Sequence, residues 1–121
     1  MPLRCVIVDD SPSLLEAARS LLEQGGIDVV GVASTRAEAL REIRALRPEV
    51  ALVDIDLGTD SGFDVARDIA SNGSGPSSTW TILISTHAEA DFVDLIAASP
   101  AVGFLAKSEL SAERVRELLE R

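Results

Sequence analysis

Short, uninterrupted apolar runs alternate with segments of helical periodicity along the whole chain. Five short runs predict strands. Residues 5–8 and 50–53 are continuously apolar, as a strand covered on both faces requires, whereas residues 27–32 alternate less cleanly but are short and β-branched. The five predicted strands are residues 5–8, 27–32, 50–53, 80–85 and 102–105. Strands that alternate with helices in this way are typical of an α/β protein with a parallel sheet.

The segments between the strands carry helix-boundary signals. Ser11, which precedes a proline, predicts an N-cap, and Thr35 with Glu38 predicts a capping box. We expect five helices, of which the fourth covers residues 88–98. Residues 71–78 contain two glycines and a proline, and this composition predicts a mobile loop.

The predicted fold is a doubly wound, five-stranded parallel sheet with helices on both faces and the flavodoxin-like strand order 2-1-3-4-5. A length of 121 residues suits one domain over residues 1–121, and we expect no output domain within it. No apolar run approaches the ~20 residues of a membrane span, and no signal peptide is evident. A single cysteine, Cys5, fits a reducing environment, so we expect a cytoplasmic protein without a membrane partner.

The charge balance bears on the partners. There are 20 Asp and Glu residues against 11 Lys and Arg, which gives a net charge of −9. Such a charge repels the phosphates of nucleic acids and of anionic membranes, so we expect no direct nucleic acid binding by this domain. Four arginines in the second predicted helix are interpreted as a solvated face. They are Arg36, Arg41, Arg44 and Arg47.

Polar side chains follow the predicted strands at their carboxyl ends. They are Asp9, Asp10, Asp54, Ser85 and Lys107. Ligands of open parallel sheets bind outside the carboxyl ends of the strands, so we expect these side chains to share one pocket. Two carboxylates about 4 Å apart repel by roughly 4 kcal/mol at an effective dielectric constant of 20, and three therefore favour a bound cation.

A hard divalent ion suits this pocket, because Mg²⁺ prefers oxygen ligands and Mn²⁺ accepts the same ones. Three carboxylates, one divalent ion and one lysine balance to neutrality, which leaves room for a phosphoryl group. A carboxylate such as Asp54 can act as a nucleophile and become an aspartyl phosphate. Lys107 and the hydroxyl of Ser85 would then stabilise charge on the phosphoryl oxygens.

The ordered set of motifs resembles the response-regulator receiver domain of two-component signalling, and the likeness covers essentially the whole chain. The motifs are Asp9 and Asp10 after Val-Ile-Val, Asp54 in Leu-Val-Asp-Ile-Asp-Leu, Gly62 eight residues later, Ser85 in Ile-Leu-Ile-Ser-Thr, and Lys107 in Gly-Phe-Leu-Ala-Lys. Each motif alone is weak, whereas the ordered set with its spacings is specific.

The resemblance implies that Asp54 accepts a phosphoryl group from a sensor histidine kinase or a phosphotransfer protein. It also implies that Asp10, Asp54 and the backbone carbonyl of Asp56 bind Mg²⁺ or Mn²⁺, with Asp9 helping mainly through water. The domain would then be a signalling phosphoacceptor, whose only catalysis is its own phosphorylation and dephosphorylation.

The resemblance further implies a conformational switch. Ser85 and Lys107 would bind the phosphoryl group, and Phe104 occupies the place of the family's switch aromatic. The surface of helix 4, strand 5 and helix 5 would then change, and a homodimer or an output domain that controls transcription could respond. A single aromatic in a strand is often an ordinary core residue, so that alternative for Phe104 stays open beside the switch role.

Three features depart from the family pattern. Ser108 follows Lys107 where many receivers have proline, and Thr86 is bulkier than the small residue that often follows the switch hydroxyl. Asp56 and His87 occupy the positions that tune the lifetime of the phosphoryl group. Taken alone, His87 is an ordinary surface residue at the start of a helix.

Two other functions compete with this interpretation. Asp54 and Asp56 resemble the Asp-x-Asp motif of haloacid-dehalogenase-like phosphatases, which use the first Asp as nucleophile and the second as general acid. That alternative gives Asp9 and Asp10 no role. The chain could also be a receiver-like interaction module that works without phosphate, which its intact acidic pocket disfavours.

Overall fold

A five-stranded parallel sheet forms the centre of the protein, in the strand order β2-β1-β3-β4-β5. This computed structural model describes residues 2–72, 79–86 and 89–120. The strands are β1 (Arg4–Val8), β2 (Asp28–Ala33), β3 (Val50–Asp54), β4 (Trp80–Ser85) and β5 (Gly103–Ala106). The order confirms the predicted flavodoxin-like topology, and each predicted strand lies within one residue of an observed one.

Helices cover both faces of this sheet. They are α1 (Pro12–Gln24), α2 (Arg36–Leu46), α3 (Gly62–Asn72), α4 (Val93–Ala98) and α5 (Ala112–Leu119). Short 3₁₀ helices form at Glu89–Phe92 and Lys107–Glu109. In the part of the chain that the structure describes, no helix has the length and apolarity that would be needed to cross a membrane.

Two predicted segments differ from the structure. Residue 88 of the helix expected over residues 88–98 lies outside the described residues. The rest is a 3₁₀ turn followed by a short α-helix from Val93, and no side chain caps that helix. Without a capping side chain, the first amide groups favour the tighter 3₁₀ pattern. Helix α3 continues through Asn72, and the rest of the predicted mobile loop lies outside the described residues.

The predicted caps are present, with one change of partner. Ser11 Oγ accepts a hydrogen bond from the Leu14 amide at 3.4 Å, and Thr35 Oγ1 accepts one from the Glu38 amide at 3.1 Å. The Glu38 carboxylate turns to Ser34 instead of Thr35, and accepts from its amide at 3.0 Å and its hydroxyl at 2.8 Å. These hydrogen bonds lower the pKa of Glu38.

Two apolar clusters lie on opposite faces of the sheet, because successive side chains of a strand point to opposite sides. Cys5 and Ile7 of β1 belong to the cluster that packs with α1 and α5, whereas Val6 and Val8 belong to the cluster that packs with α2 and α3. Burial raises the pKa of Cys5 to about 12, so its side chain packs as a neutral thiol. This double burial explains the continuous apolar runs.

Arg36 lies on the solvated face that was expected, with 43% of its side chain exposed, and it also has a partner on α3. Its Nε lies 2.5 Å from Asp68 Oδ2 and its Nη2 lies 3.1 Å from Asp68 Oδ1, so the guanidinium forms a bidentate pair with α3. These contacts raise the pKa of Arg36. Arg41, Arg44 and Arg47 are exposed as predicted.

Candidate functional site

The first acidic residue of the site is held by the backbone that follows β1. The Asp9 amide donates to the Ala33 carbonyl at 2.9 Å, which extends the contact between β1 and β2 by one residue. Asp9 is fully buried, and its Oδ1 accepts a hydrogen bond from the Ser11 amide at 2.9 Å. The turn into α1 therefore fixes the direction of this carboxylate.

Asp9, Asp10 and Asp54 form one acidic cluster, because β1 and β3 are neighbours in the sheet. Each residue contributes a carboxylate oxygen, and these oxygens lie within 4.8 Å of one another. Asp9 and Asp54 are buried, whereas Asp10 is exposed. The structure thus brings together the three carboxylates that the strand ends predicted.

Lys107 reaches this cluster from the carboxyl end of β5. Its Nζ lies 2.8 Å from Asp9 Oδ2 and 3.1 Å from Asp54 Oδ2. Burial alone would lower the pKa of Lys107, but its contacts with the two carboxylates outweigh that effect, and the pKa is raised. The ammonium group therefore stays charged between two buried carboxylates.

Asp54 is held through both of its carboxylate oxygens. Its Oδ1 accepts a hydrogen bond from the Asp56 amide at 3.2 Å, and its Oδ2 accepts one from Lys107 at 3.1 Å. Burial raises the pKa of Asp54, and these two hydrogen bonds oppose that shift. Both oxygens are held in place, so the carboxylate presents a fixed direction to an incoming electrophile.

The other predicted residues occupy the same edge of the sheet or the core beneath it. Ser85 is buried at the end of β4 and pairs in register with Ala106, next to Lys107. Thr86 follows with an exposed side chain, and Asp56 is also exposed.

Phe104 does not lie at this edge. It is buried in the cluster that packs against α2 and α3. His87 lies outside the described residues.

A short antiparallel ribbon after β3 was not predicted from the sequence. Asp56–Leu57 pairs with Asp60–Ser61, and Gly58 in the turn has a φ of +73°. The sequence signal for this ribbon is Gly58 at the first position of a two-residue turn. Strands of two residues are too short to show an alternating pattern of apolar and polar residues.

Gly62 closes this segment where only glycine fits. A Cβ at this position would lie 2.1 Å from the Asp54 carbonyl oxygen and 2.6 Å from Ile55 Cα. The Gly62 amide donates to the Ile55 carbonyl at 3.0 Å. The start of α3 is thereby packed directly against the backbone of the site.

The residues present fit a hard divalent cation. The cluster offers oxygen ligands alone, which Mg²⁺ prefers. Asp9 Oδ2 is buried and accepts no clear hydrogen bond among the described residues, and the charge beside it is the ammonium group of Lys107 at 2.8 Å. Lys107 offsets only one of the three carboxylate charges in the cluster. A divalent cation would stabilise the remaining negative charge, so the acidic cluster is a candidate metal site.

Comparisons with known proteins show the family to which the chain belongs. A family model described as "Response regulator receiver domain" matches residues 5–120. The transcriptional regulatory protein NarL of Mycobacterium tuberculosis is 36% identical over 119 residues, which cover 98% of this chain and 54% of NarL. A protein-glutamate methylesterase/protein-glutamine glutaminase of Syntrophus aciditrophicus is 34% identical over 97% of this chain and 35% of its own length.

A solved structure gives the same result. The signal receiver domain of NarL from Mycobacterium tuberculosis has a TM-score of 0.84 and 34% sequence identity, and the match covers 98% of this chain and 94% of that one. This chain spans only about half the length of the full NarL protein. The likeness therefore concerns one domain of these longer proteins. The chain belongs to the receiver domain family of two-component response regulators, whose members take phosphoryl groups from histidine kinases.

Proposed function

We propose that Asp54 of this receiver domain accepts a phosphoryl group from the phosphohistidine of a sensor kinase or a phosphotransfer protein. The observation that carries the proposal is the position of Lys107, whose Nζ lies 2.8 Å from Asp9 and 3.1 Å from Asp54. A lysine ammonium group lies between two buried carboxylates, and a third carboxylate, that of Asp10, lies at the surface. Phosphoryl transfer requires positive charge near the phosphoryl oxygens, and this arrangement supplies it.

The transfer begins with a carboxylate oxygen of Asp54 forming a bond to phosphorus. The bond between phosphorus and the donor's histidine nitrogen breaks, and the imidazole leaves with the electron pair and takes a proton from solvent. Asp54 is oriented for this attack because the Asp56 amide and Lys107 hold its two oxygens. Fixed geometry of this kind lowers the entropic part of the barrier.

Asp9, Asp10, Asp54 and the backbone carbonyl of Asp56 are the proposed ligands of Mg²⁺ or Mn²⁺. The bound ion would neutralise charge on the phosphoryl oxygens. Lys107 would supply a second positive charge from the start of the 3₁₀ helix after β5, and its contact with Asp54 would pass to a phosphoryl oxygen after transfer. The hydrogen bond from the Ser11 amide would hold the direction of Asp9 during these steps.

The proposed switch connects this site to α4 and β5. Ser85 would donate its hydroxyl to the phosphoryl group and move toward it, and Phe104 would change its packing in response. Phe104 lies in the same apolar cluster as Phe92 and Ile96, which frame the start and middle of α4. Thr86, Asp56 and His87 would tune how long the phosphoryl group persists.

Membership of the receiver family supports a proposal for the wider function. We propose that residues 1–121 act as a single cytoplasmic receiver domain that signals to a partner, to a homodimer through α4, β5 and α5, or to an output domain that controls transcription. Its catalysis would be limited to its own phosphorylation and dephosphorylation. The net charge of −9 supports a role without direct nucleic acid or membrane binding.

Intact mass spectrometry tests the phosphoacceptor directly. The wild-type protein and Asp54→Asn are incubated with acetyl phosphate and Mg²⁺, and a parallel wild-type sample contains a chelator. We expect the mass of one phosphoryl group to be added to the wild type with Mg²⁺ and not to the other two samples. Addition to Asp54→Asn would move the acceptor to another residue.

A second phosphodonor is needed because some receiver domains do not react with small phosphodonors. A phosphorylated histidine phosphotransfer domain replaces acetyl phosphate in the same three samples. If the wild type gains no phosphoryl group from either donor, the proposal is wrong. Repeated turnover of a phosphomonoester would instead support the phosphatase alternative, because a receiver is modified once and recovers slowly.

A further inference from the structure

We propose that Asp60 is a positioning residue that holds the ribbon after β3 against the acidic cluster and so sets the affinity of the site for Mg²⁺. This inference rests on the proposed function of that site. The ribbon consists of Asp56–Leu57 and Asp60–Ser61, and Asp56 supplies the proposed carbonyl ligand. A residue that fixes the ribbon therefore acts on the metal through another residue.

The ribbon lies directly against the cluster. A Cβ built on Gly58 in its turn would lie 3.6 Å from Asp10 Oδ2, and the Asp56 amide donates to Asp54 Oδ1 at 3.2 Å. A small displacement of the turn would change both contacts. Its position is therefore part of the geometry that a metal ion would meet.

The inner end of the ribbon is held by the backbone, and the outer end by Asp60. Gly62 packs against the Asp54 carbonyl and donates its amide to the Ile55 carbonyl at 3.0 Å. Asp60 pairs with Leu57 across the ribbon, and its Oδ2 accepts a hydrogen bond from the Arg36 amide at 3.1 Å. Arg36 is the first residue of α2, so this bond joins the ribbon to a separate element of the fold.

The Arg36 amide is well suited to this contact. The first amides of a helix have no carbonyl partner within the helix, and the positive end of the helix dipole favours a carboxylate there. Thr35 caps the helix through the Glu38 amide, and the Arg36 guanidinium pairs with Asp68. The Thr35 cap leaves the Arg36 amide without a partner, and Asp60, which lies 24 residues later in the sequence, accepts its hydrogen bond.

Three variants distinguish the effect of the Asp60–Arg36 hydrogen bond from the effect of the negative charge of Asp60. Asp60→Ala removes both the acceptor and the charge, whereas Asp60→Asn removes the charge and keeps an oxygen that can accept from the Arg36 amide. Asp68→Ala is the matched control, because it removes a charge and an Arg36 contact without touching the ribbon. The dissociation constant for Mg²⁺ is measured by isothermal titration calorimetry, and amide hydrogen exchange of residues 56–61 is measured without metal.

We expect Asp60→Ala to weaken Mg²⁺ binding about 10-fold, the lower end of the effect of an outer-shell partner, and to speed exchange in the ribbon. Asp60→Asn and Asp68→Ala should stay within about 2-fold of the wild type by the same reasoning. If Asp60→Ala binds Mg²⁺ like the wild type, or if either control loses as much affinity, the positioning role is wrong. A wild type that binds no Mg²⁺ would contradict the proposed function as well.

Discussion

The acidic site and helix α4 are built in opposite ways. Asp9 and Asp54 are buried, and each is held by a backbone amide and by Lys107. Helix α4 has six residues, no side-chain cap and no buried residue, and Val93 and Leu95 are more than half exposed. Only Ile96 of this helix packs partly into the core.

The contrast separates a part of the molecule that must keep its geometry from a part that can change it. Segments with few buried contacts unfold locally at a low cost in free energy. The elements that move in signalling are usually such segments of low local stability. Suppose that α4 can pack against the sheet in two ways. A phosphoryl group on Asp54 would favour one packing over the other only if the two make different contacts with that group. Phe104 lies in one apolar cluster with Val53 and Ile55, which flank Asp54, and Phe92 and Ile96 pack against the same cluster.

The largest expected effect comes from Gly62→Ala, which disturbs the rigid region. The new Cβ would meet the Asp54 carbonyl oxygen at 2.1 Å, so the backbone of the site must shift. We expect the free energy of unfolding to fall by about 3 kcal/mol, as for a severe overpacking change. Urea denaturation measures this value.

Gly26→Ala is the matched control for this change. Gly26 also needs a special backbone, with a φ of +88°, but its Cβ would meet only the flexible Arg116 side chain. We expect a loss of about 1 kcal/mol from the positive φ alone. Equal losses in the two variants would show that the close approach at Gly62 is unimportant.

A smaller effect is expected from Lys107→Met in the absence of Mg²⁺. The substitution leaves Asp9 and Asp54 buried without their shared cation, and removing one partner of a buried ion pair is destabilising. We expect a loss of about 2 kcal/mol, below the usual range for a fully buried pair because solvent reaches part of the site. Thermal or urea unfolding at neutral pH measures it.

Asp54→Asn should behave in the opposite way, because it relieves repulsion between carboxylates. We expect this variant to unfold cooperatively, with a free energy of unfolding equal to or above that of the wild type. A strong loss of stability in Asp54→Asn, or none in Lys107→Met, would contradict the electrostatic description of the site.

The smallest effect is expected in α4. Leu95→Ala removes an exposed side chain and should change the free energy of unfolding by no more than about 0.5 kcal/mol. Val115→Ala in α5 removes two buried methyl groups and should cost about 1.5 kcal/mol. A large loss in Leu95→Ala would mean that α4 is anchored as firmly as α5, and the comparison would fail.

The sequence predicted the sheet and the acidic site because both depend on simple regularities. Continuous apolar runs mark buried strands, and parallel strands bring their carboxyl ends to one edge, so Asp9, Asp54 and Lys107 had to meet. The pairs Arg36–Asp68 and Arg36–Asp60 join residues 32 and 24 positions apart, and no local pattern specifies them. The 3₁₀ start before α4 depends on an absent cap and on packing at Phe92, which periodicity does not reveal.

The most direct test of the phosphoacceptor is to locate the modified residue chemically. The phosphorylated protein is reduced with borohydride, which converts an aspartyl phosphate to homoserine, and the peptides are sequenced by tandem mass spectrometry. We predict homoserine in place of Asp54 only, and only in samples that contained Mg²⁺ and the phosphodonor. Homoserine in place of Asp9 or Asp10, or none in a protein that gained phosphoryl mass, would contradict the assignment of Asp54.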